Sequence, residues 1–507
     1  MSRINTNVQS LIAQRVLSNN NLTLNQSLER LSTGLRINRG KDDPAGLIAS
    51  ENLRSEKSSL NAAISNSERA DQVANIAEGG LQEVSGLVTE LQGLVTSSAN
   101  TAGLSPDERS ANQLQIDSIL QTIDRIASAT SFQGKKLLNG SLDYTASGVA
   151  AGVSDFRVNG AKLAFGQQLD VQAIVTQSAQ KGGLYLSTNG ALNLGGSGGS
   201  FTIEVAGALG SRELSFASGT SVSSIVKAIN TFSDVTGVEA NASGTAGLKL
   251  SSSEYGRNAF VSVKVVNAAG ITGTGVGVYG LQAGDFGTAS TTGFAFNSTT
   301  ATNGYRDNGQ DVAATINGIA ATSNGRKARI NTDFLDVEVT FNDASGNNTA
   351  QTLGAVNAFT ITGGGADFQL AGAVDIAGKV SIGVQDIATR KLGSSIVGYL
   401  SDLGSGKSLN VVNGDLNKAQ KVVAEAINIV SSTRGRLGAF QKNTVGATIR
   451  SLGVSLENTS AAESSIRDAD FAKETAALTR NQILVSASTN ILALANSQPQ
   501  AALQLLG

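Results

Sequence analysis

Large apolar residues recur three, four or seven positions apart near both ends of this chain, and polar residues fill the positions between them. The recurrence is clear in three stretches, whose apolar positions are Leu17, Leu24, Leu28, Leu31 and Leu35; Leu81, Val84, Val88, Leu91 and Val95; and Val412, Leu416, Ala419, Val423, Ala426, Val430 and Leu437, with Thr433 filling a gap. This spacing places one narrow apolar stripe on a helix, as in coiled coils. The pattern predicts long helices that pack along such seams at both ends of the chain.

Between about residues 145 and 400 the pattern changes to short β-branched runs that alternate with polar residues. Examples are residues 201–205 (FTIEV) and 337–341 (VEVTF), with glycine, threonine and serine frequent around them. Alternation with a period of two is typical of strands with one buried face. We therefore predict an α+β multidomain fold, in which long coiled-coil-like helices from both chain ends flank an inserted, mostly-β middle region.

Two helix starts carry recognisable capping residues. Asp43 precedes Pro44, which suits the first turn of a helix, and Ser105 with Glu108 has the spacing of a capping box. A helix from Pro44 to about Asn100 would measure about 80 Å at about 1.5 Å per residue. A helix of this length indicates a structural role.

The two chain ends are expected to depend on partners. Near the end of the chain Leu478, Val485 and Leu492 are seven residues apart, so this stretch has a single seam like the first stretch. One seam buries too little apolar surface to offset the conformational entropy lost when a helix becomes ordered. We predict that both ends are loose in a monomer and become helical in an assembly. The predicted interface residues are Ile4, Val8, Leu11, Leu24, Leu28, Leu31, Leu35, Leu478, Val485, Leu492 and Leu503.

Composition narrows the possible chemistry. The 507 residues include 58 Gly and three Pro but no His, Cys or Trp, which excludes nucleophiles paired with His and metal sites built on His or Cys. A formal charge of −2 provides no basic surface for nucleic acid or an anionic membrane. There is no apolar run of about 18 residues and no signal-peptide pattern. We predict no catalytic, metal or cofactor site, and we expect any export to use a route without a signal peptide.

The charged loop at residues 36–43 allows three interpretations. Lys41, Asp42 and Asp43 could form an active-site-like carboxylate pair, but the chemistry of a helix start explains them better. In the third interpretation Arg36, Arg39, Lys41 and Asp42 hold contacts between subunits, because these charges would otherwise only be solvated.

Residues 305–311 (YRDNGQD) carry oxygen ligands that are spaced loosely like those of a calcium-binding loop. They lack the full alternation and the closing Glu of an EF-hand. We therefore expect a turn rather than a metal site at this position.

Both ends of the chain carry short, distinctive motifs. They are the opening residues 1–15 (MSRINTNVQSLIAQR), then residues 31–38 (LSTGLRIN), 41–46 (KDDPAG), 132–140 (FQGKKLLNG), 466–474 (IRDADFAKE) and 495–500 (ANSQPQ). Together they resemble the bacterial flagellin family over about residues 1–140 and 405–507. Residues 219–230 (GTSVSSIVKAIN), followed by residues 247–251 (GLKLS), are similar to a repeat found in flagellin inserts, and their pattern predicts a short helix followed by strands.

The resemblance implies a structural subunit that polymerises into the bacterial flagellar filament for swimming motility, after export in an unfolded state by the flagellar type III apparatus. Residues 1–40 with 466–507 would be terminal helices lining the filament tube, residues 41–180 with 405–465 a helical rod core domain, and residues 181–404 a variable, mostly-β outer region. The partners implied are further copies of the chain, the flagellar cap and hook-junction proteins, a cytoplasmic flagellin chaperone and the export apparatus. The location implied is extracellular.

One stretch departs from the family in a way that concerns host recognition. The flagellin-sensing Toll-like receptor recognises, in responsive flagellins, a helix face with a pattern close to LQRVREL. Residues 88–94 here read VTELQGL, so Leu94 is kept, Glu90 stands where the first Arg is expected, and Gly93 stands where the Glu is expected. Glu90 inverts a charge, and Gly93 weakens the helix by up to about 1 kcal/mol relative to Ala. The resemblance therefore predicts weak or no activation of this receptor.

Two alternatives to a filament subunit stay open. A hook–filament junction (hook-associated) protein would share the flagellin-like ends but would be present in few copies. An enzyme or adhesin carried by the middle region would use carboxylates such as Asp333, Asp336 and Glu338, although no recognisable catalytic constellation surrounds them.

Overall fold

The protein is described here by a computed structural model, which divides the chain into two compact units. Unit 1 comprises Met1–Gln72, Gln369–Gly378 and Ala439–Gly507, and unit 2 comprises Val73–Phe368 and Lys379–Gly438. The structure describes residues 6–100, 102–164, 166–194, 199–244, 246–271, 275–282, 285–342 and 353–504, of which residues 282, 285–288 and 499–504 are described by their backbone alone.

Long helices occupy both ends of the chain, as the apolar spacing predicts. The helices are α1 (Val8–Thr33), α2 (Pro44–Ser98), α3 (Pro106–Ala129), α4 (Val222–Thr231), α5 (Ser233–Thr236), α6 (Thr299–Asn303), α7 (Leu416–Ala439), α8 (Gly446–Arg467) and α9 (Phe471–Gln504). A 3₁₀ turn spans Leu400–Leu403, and a π-helical segment spans Phe440–Val445 between α7 and α8. Helix α2 has 55 residues, which confirms the long helix expected from Pro44.

The predicted helix starts form in the expected way. The carboxylate of Asp43 accepts a hydrogen bond from the Gly46 N–H at 2.9 Å, which satisfies one of the free N–H groups at the start of α2. At the start of α3 the Glu108 N–H donates to Ser105 Oγ at 3.2 Å, while the Ser105 N–H donates to Glu108 Oε2 at 2.7 Å. Both halves of the predicted capping box are therefore present.

The apolar stripes of the helices in unit 2 are buried. On α2 the buried stripe consists of Leu81, Val84, Val88, Leu91 and Val95, and on α7 it includes Ala419, Val423, Ala426, Val430, Thr433 and Leu437. Polar contacts connect these helices: Arg434 on α7 pairs with Glu78 on α2 at 2.8 Å, and Asn112 on α3 donates to Ser98 on α2 at 3.0 Å. The heptad-like spacing in this unit thus corresponds to packing between helices of the same chain.

The middle of the chain consists mainly of strands. They are β1 (Ser131–Phe132), β2 (Lys135–Lys136), β3 (Tyr144–Ser147), β4 (Val153–Ala161), β5 (Leu169–Gln177), β6 (Gly183–Ser187), β7 (Phe201–Gly207), β8 (Ser211–Phe216), β9 (Val238–Ser243), β10 (Gly247–Ser252), β11 (Phe260–Asn267), β12 (Gly277–Gln282), β13 (Asp285–Phe294), β14 (Tyr305–Asn308), β15 (Ala313–Ile316), β16 (Ile319–Ala320), β17 (Thr322–Asn324), β18 (Lys327–Asn331), β19 (Leu335–Phe341), β20 (Gly354–Gly364), β21 (Ala366–Gln369), β22 (Lys379–Ile382), β23 (Gly393–Ser394) and β24 (Gly398–Tyr399). The runs expected at residues 201–205 and 337–341 lie in β7 and β19.

These strands form two modules, each with its own apolar core. Module A contains sheets of order β13-β12-β6-β10-β9 and β14-β11-β7-β8, and helix α4 packs into its core through Val222, Ile225 and Ile229. Module B contains sheets of order β16-β15-β5-β20-β3 and β17-β18-β19-β4. The short helix followed by strands that the 219–251 pattern predicts is present as α4, β9 and β10. The stretch 41–180, expected as a helical domain, contributes β3, β4 and β5 to module B.

One connection between the two modules passes through the stretch that resembled a calcium-binding loop. Residues 305–308 form strand β14, so the expected turn is wrong at this position. Asp311 follows the strand, and its Oδ1 accepts hydrogen bonds from the N–H groups of Gly325 at 2.8 Å and Arg257 at 3.1 Å. Burial raises the pKa of Asp311, but hydrogen bonds from the Arg257 side chain and from these N–H groups outweigh it and lower the pKa overall. This carboxylate therefore joins protein groups of both modules.

Candidate assembly surface

Helices α1 and α9 pair in an antiparallel arrangement within unit 1. Their polar contacts follow the two helices in opposite directions: Ser10 Oγ donates to Asn496 Oδ1 at 2.7 Å, Asn20 Nδ2 to Ser488 Oγ at 2.6 Å, Asn481 Nδ2 to Ser27 Oγ at 3.1 Å, and Arg30 Nη1 to Glu474 Oε1 at 3.2 Å. The last of these contacts is also an ion pair. The two ends of the chain are thus brought together along most of both helices.

The seam between these helices alternates leucine or valine with small or polar residues. Its positions are Ser10, Ala13, Leu17, Asn20, Leu24, Ser27 and Leu31 on α1, and Leu478, Asn481, Val485, Ser488, Leu492 and Ala495 on α9. The steps of three and four residues are those of a heptad repeat. The buried positions are all small or polar, namely Ser10, Ala13, Ser27, Asn481, Ser488 and Ala495, whereas Asn20, the leucines and Val485 are partly buried.

Two predicted seam positions lie elsewhere. Leu28 is 45% exposed, because Ser27 takes the seam position that the leucine spacing had assigned to its neighbour. Leu35 lies beyond the end of α1 at Thr33, in the loop that follows. Leu17, Leu24 and Leu31 thus lie in the seam between α1 and α9, whereas Leu28 and Leu35 lie outside it.

Large apolar side chains of both helices remain exposed. Each is between 43% and 65% exposed, and they are Val8, Leu11, Ile12, Val16, Leu22 and Leu28 on α1 and Phe471, Ile483, Leu484, Ile491 and Leu494 on α9. Large apolar side chains that stay exposed in such numbers are typical of interaction sites in soluble proteins. The pair of terminal helices therefore buries its small and polar residues inside and presents its large apolar residues outside.

The two flanks of α9 differ in character. At 3.6 residues per turn, Leu484 and Ile491 lie on one flank of the seam, and Ile483 and Leu494 lie further round on the outer face of the helix. On the other flank lie Gln482, Ser486 and Thr489, which are exposed and polar. This asymmetry gives α9 one apolar flank that is free to contact a further helix.

The predicted interface residues fall into three groups. Val8, Leu11 and Leu28 are exposed on the outside of the pair; Leu24, Leu31, Leu478, Val485 and Leu492 are partly buried in its seam, and Leu35 is partly buried in the loop after α1; Ile4 lies outside the described residues, and the side chain of Leu503 is not described. The polar seam residues Asn20, Ser27, Asn481 and Ser488 were missed by the sequence reasoning. Their spacing of seven along each helix was a signal that could have identified them.

A short backbone bridge closes the base of the helix pair. Leu35 and Asp468 pair in antiparallel fashion, with the Arg36 N–H donating to the Arg467 carbonyl at 2.7 Å and the Ala469 N–H donating to the Gly34 carbonyl at 2.9 Å. The bridge connects the loop after α1 to the turn between α8 and α9.

The charged loop at residues 36–43 makes contacts within its own chain. Arg39 pairs with Glu29 at 3.0 Å, Arg36 pairs with Asp43 at 3.7 Å, and Lys41 is exposed. The carboxylate of Asp42 accepts from the Arg39 N–H at 2.9 Å and from the Asn38 N–H at 3.2 Å. The Arg39 hydrogen bond is the main reason that the pKa of Asp42 is lowered. The charged side chains of this loop are therefore not merely solvated, because several of them hold the shape of the loop through contacts within the chain.

The carboxylates considered for catalysis in the middle region are each paired with a cation. Asp333 contacts Lys162 at 2.9 Å, Asp336 contacts Arg329 at 2.9 Å, and Glu338 contacts Lys327 at 3.6 Å. Among the described residues there is no cluster of three acidic, His or Cys side chains able to hold a metal ion. In the part of the chain that the structure describes, no helix has the length and apolarity needed to span a bilayer.

The stretch compared with the receptor-recognition pattern lies on α2. Glu90 and Gly93 are exposed there, and Leu94 is partly buried. Apart from its chain neighbours and the backbone of its own helix, no described atom lies within 4 Å of the position that a Cβ would take at Gly93, so packing does not require this glycine.

Family models match three parts of the chain. They are the bacterial flagellin N-terminal helical region at residues 4–143, the bacterial flagellin C-terminal helical region at residues 420–506, and the flagellin hook IN motif at residues 192–254. The first two models include both partners of the antiparallel helix pair.

Curated relatives match over nearly the whole chain. The B-type flagellin of Pseudomonas aeruginosa is 30% identical over 560 residues and covers 99% of each chain. Polar flagellin F of Vibrio parahaemolyticus is 29% identical over 504 residues, again covering 99% of each chain. Among solved structures, flagellar hook associated protein-3 of Legionella pneumophila is 10% identical, covers 82% of this chain and 98% of that chain, and has a TM-score of 0.30. The D2-D3 domains of the flagellar cap protein of Serratia marcescens are 19% identical, cover 39% of this chain and 94% of that chain, and have a TM-score of 0.24.

Proposed function

This chain belongs to the bacterial flagellin family, and from that premise we infer that it is the structural subunit of the flagellar filament, which serves swimming motility. The relatives that match over their full length are named flagellins, which favours a filament subunit over a hook-associated protein. A junction protein would be rare in sheared filaments, whereas the subunit would be their main component.

The observation that carries this proposal is the outside of the α1–α9 pair. The exposed apolar residues Leu11, Leu22, Ile483, Ile491 and Leu494 would face water in a free monomer. In a polymer they would lie against the same helices of neighbouring copies, at about 25 cal/mol for each Å² of apolar surface removed from water. The occupant of this surface is therefore a second copy of the chain.

We assign the parts of the chain to layers of the filament as the family resemblance implies. Residues 1–40 with 466–507 line the tube, residues 41–180 with 405–465 form the helical layer around it, and residues 181–404 form the outside. The paired ends and the strand-rich middle support this assignment, except that β3, β4 and β5 within residues 41–180 belong to the strands of module B.

Export and delivery follow from the same proposal. The chain crosses the flagellar type III apparatus unfolded, and a cytoplasmic chaperone binds the C-terminal helix by its apolar positions, in the manner of a helix laid into a groove. The cap and hook-junction proteins are the expected partners at the two ends of the filament, which is extracellular.

A structural role without catalysis agrees with the ion pairs that occupy the carboxylates of module B.

Negative-stain electron microscopy of purified protein, seeded with filament fragments, tests the proposal. The control is a truncated chain that lacks residues 1–40 and 466–507. We expect long uniform tubes from the full chain and none from the truncated chain. Addition to existing ends without elongation would instead support a junction protein, and no interaction of either chain with the seeds would refute both assignments.

A further inference from the structure

Two polar layers, one heptad apart, cross the seam between α1 and α9. In one layer Asn20 donates to the Ser488 hydroxyl at 2.6 Å, and in the other Asn481 donates to the Ser27 hydroxyl at 3.1 Å. Each layer thus joins an Asn on one helix to a Ser on the other, with the direction of donation reversed. The pattern is the same when the two helices are exchanged.

The leucine and valine positions of the seam do not distinguish one register from the next. Leu17, Leu24 and Leu31 repeat every seven residues on α1, and Leu478, Val485 and Leu492 repeat every seven residues on α9. A shift of the helices by one heptad therefore brings apolar residues opposite apolar residues again. Packing of the leucines alone permits several alignments.

The polar layers do distinguish the registers. A shift of one heptad in one direction brings Asn20 opposite Ala495, where its amide loses the Ser488 acceptor. A shift in the other direction brings Asn20 opposite Asn481 and separates both Asn–Ser pairs. A polar group left without a partner in a seam is costly, and buried Asn residues fix register in coiled coils for this reason.

We propose that the Asn20–Ser488 and Asn481–Ser27 layers set the register of the terminal helix pair. The register decides how the exposed apolar residues of α1 are aligned with those of α9, and thus the composite surface offered to neighbouring copies. This inference rests on the proposed filament function for its consequence, but the register itself is defined by contacts between two helices of the same chain. The four residues are positioning residues, because they act through the placement of the apolar side chains.

The backbone bridge between Leu35 and Asp468 is the competing explanation for the register. It lies at one end of the pair and consists of the Arg36–Arg467 and Ala469–Gly34 hydrogen bonds. The two polar layers lie within the paired region, where each change of alignment places their side chains opposite different residues of the facing helix. The replacement Ala469→Pro removes one N–H donor of the bridge and leaves the seam unchanged.

Cysteine pairs can report the register, because the natural chain has no Cys. The pair Ser10→Cys with Asn496→Cys reports the observed alignment, since these side chains are in hydrogen-bond contact at 2.7 Å. The pair Ser10→Cys with Thr489→Cys reports the alignment shifted by one heptad. Each cysteine pair is introduced separately into the full-length protein, which is then oxidised mildly. Denaturing electrophoresis separates cross-links within one chain from cross-links between chains.

The decisive seam variant carries Asn20→Leu and Asn481→Leu. In the shifted alignment the two new leucines face each other, whereas in the observed alignment each faces a serine. We expect the ratio of native to shifted cross-link to fall by at least about tenfold, which corresponds to about 1.4 kcal/mol. The matched control exchanges the partners of both layers (Asn20→Ser, Ser27→Asn, Asn481→Ser and Ser488→Asn), and we expect it to keep the native cross-link.

An unchanged ratio in the leucine variant would overturn the proposal, as would loss of the native cross-link in the exchanged variant. Loss of register in Ala469→Pro with the seam intact would assign the register to the backbone bridge instead. Cross-linking is scored in filaments and in unassembled protein alike. A failure of the reporter proteins to polymerise would therefore count against the filament function while the register is still measured.

Discussion

The guanidinium of Arg36 donates two hydrogen bonds to the carbonyl oxygen of Ile466, through Nε at 3.1 Å and through Nη2 at 2.5 Å. Ile466 lies in the last turn of α8, where carbonyl groups have no partner within the helix. A cation at this end also interacts favourably with the helix dipole. Arg36 thus caps α8 from a loop that lies 430 residues earlier in the chain.

The first prediction concerns this cap. Arg36→Ala should lower the free energy of unfolding of the terminal region by about 1 kcal/mol, since a hydrogen-bonded carbonyl loses its donors. The measurement is the temperature at which assembled filaments dissociate, which should fall. Arg39→Ala is the control, because Arg39 forms an exposed ion pair with Glu29 that contributes only about a few tenths of a kcal/mol. Equal effects of the two replacements would show that the cap has no special role.

The second prediction tests the apolar flank of α9. Ile491 is 59% exposed on this flank, so Ile491→Asp should leave the monomer folded and should prevent filament growth by placing a charge in an apolar contact. Thr489→Asp introduces the same charge on the polar flank and should allow growth. Seeded elongation measured by light scattering compares the two. Growth of the Ile491 variant at the rate of the unchanged protein would exclude this flank from the subunit contact.

The third prediction tests the seam itself. Leu492 is partly buried between α1 and α9, so Leu492→Asp should separate the two helices and abolish polymerisation. The strands of modules A and B should remain folded, because their cores contain no residue of α9. Circular dichroism and electron microscopy together provide the measurement. Filaments of normal appearance from this variant would contradict the role assigned to the C-terminal helix.

The fourth prediction concerns the pH dependence of the contact that Asp311 makes between modules A and B. The pKa of Asp311 is lower in the folded chain than the ordinary value of about 3.9, so its carboxylate stabilises the fold above about pH 4. This contribution is lost as the pH falls through the folded pKa. Asp311→Ala should cost about 2 kcal/mol at neutral pH, and the difference should shrink below pH 4.

Urea unfolding of the full chain, followed by circular dichroism at several pH values, measures this difference. Asp333→Ala serves as the control, because the Asp333 side chain is 89% exposed and its pairing with Lys162 contributes little to stability. A difference between Asp311→Ala and the natural chain that persists unchanged at pH 2 would refute the assignment to the carboxylate.

The fifth prediction concerns the exposed stretch on α2. Glu90 and Gly93 replace the Arg and Glu of the receptor-recognition pattern, so the monomer should activate the flagellin-sensing Toll-like receptor weakly or not at all. The double replacement Glu90→Arg and Gly93→Glu should increase activation in a cell reporter assay. Full potency of the unchanged protein, at concentrations typical of stimulatory flagellins, would contradict this prediction.

Helix positions were predictable because their signals lie within a few residues of one another. Ser105 and Glu108 are three positions apart, and Asp43 caps the helix that begins with the next residue. The buried stripe at Leu81–Val95 repeats every three or four residues, so the period of the helix is visible in the sequence. The short helix α4 and the strands β7 and β19 were found for the same reason.

Other features depend on residues that are far apart in the chain. The sequence reasoning assigned Leu28 to the seam, but Ser27 occupies that position because Asn481, 454 residues later, donates to its hydroxyl. Residues 305–311 have the composition of a turn, yet residues 305–308 form β14 because β11 offers an edge for pairing. No local pattern contains this information.

The sequence by itself determined the family, the helical ends, the strand-rich middle and the approximate path of each apolar seam. These follow from the spacing of apolar residues and from capping groups, which act over one or two turns of backbone. Only the tertiary structure decided which residues face inward between α1 and α9, because polar seam residues are stable inside only where a distant partner accepts or donates a hydrogen bond. That same choice left the large apolar side chains on the outside, where a neighbouring copy can cover them.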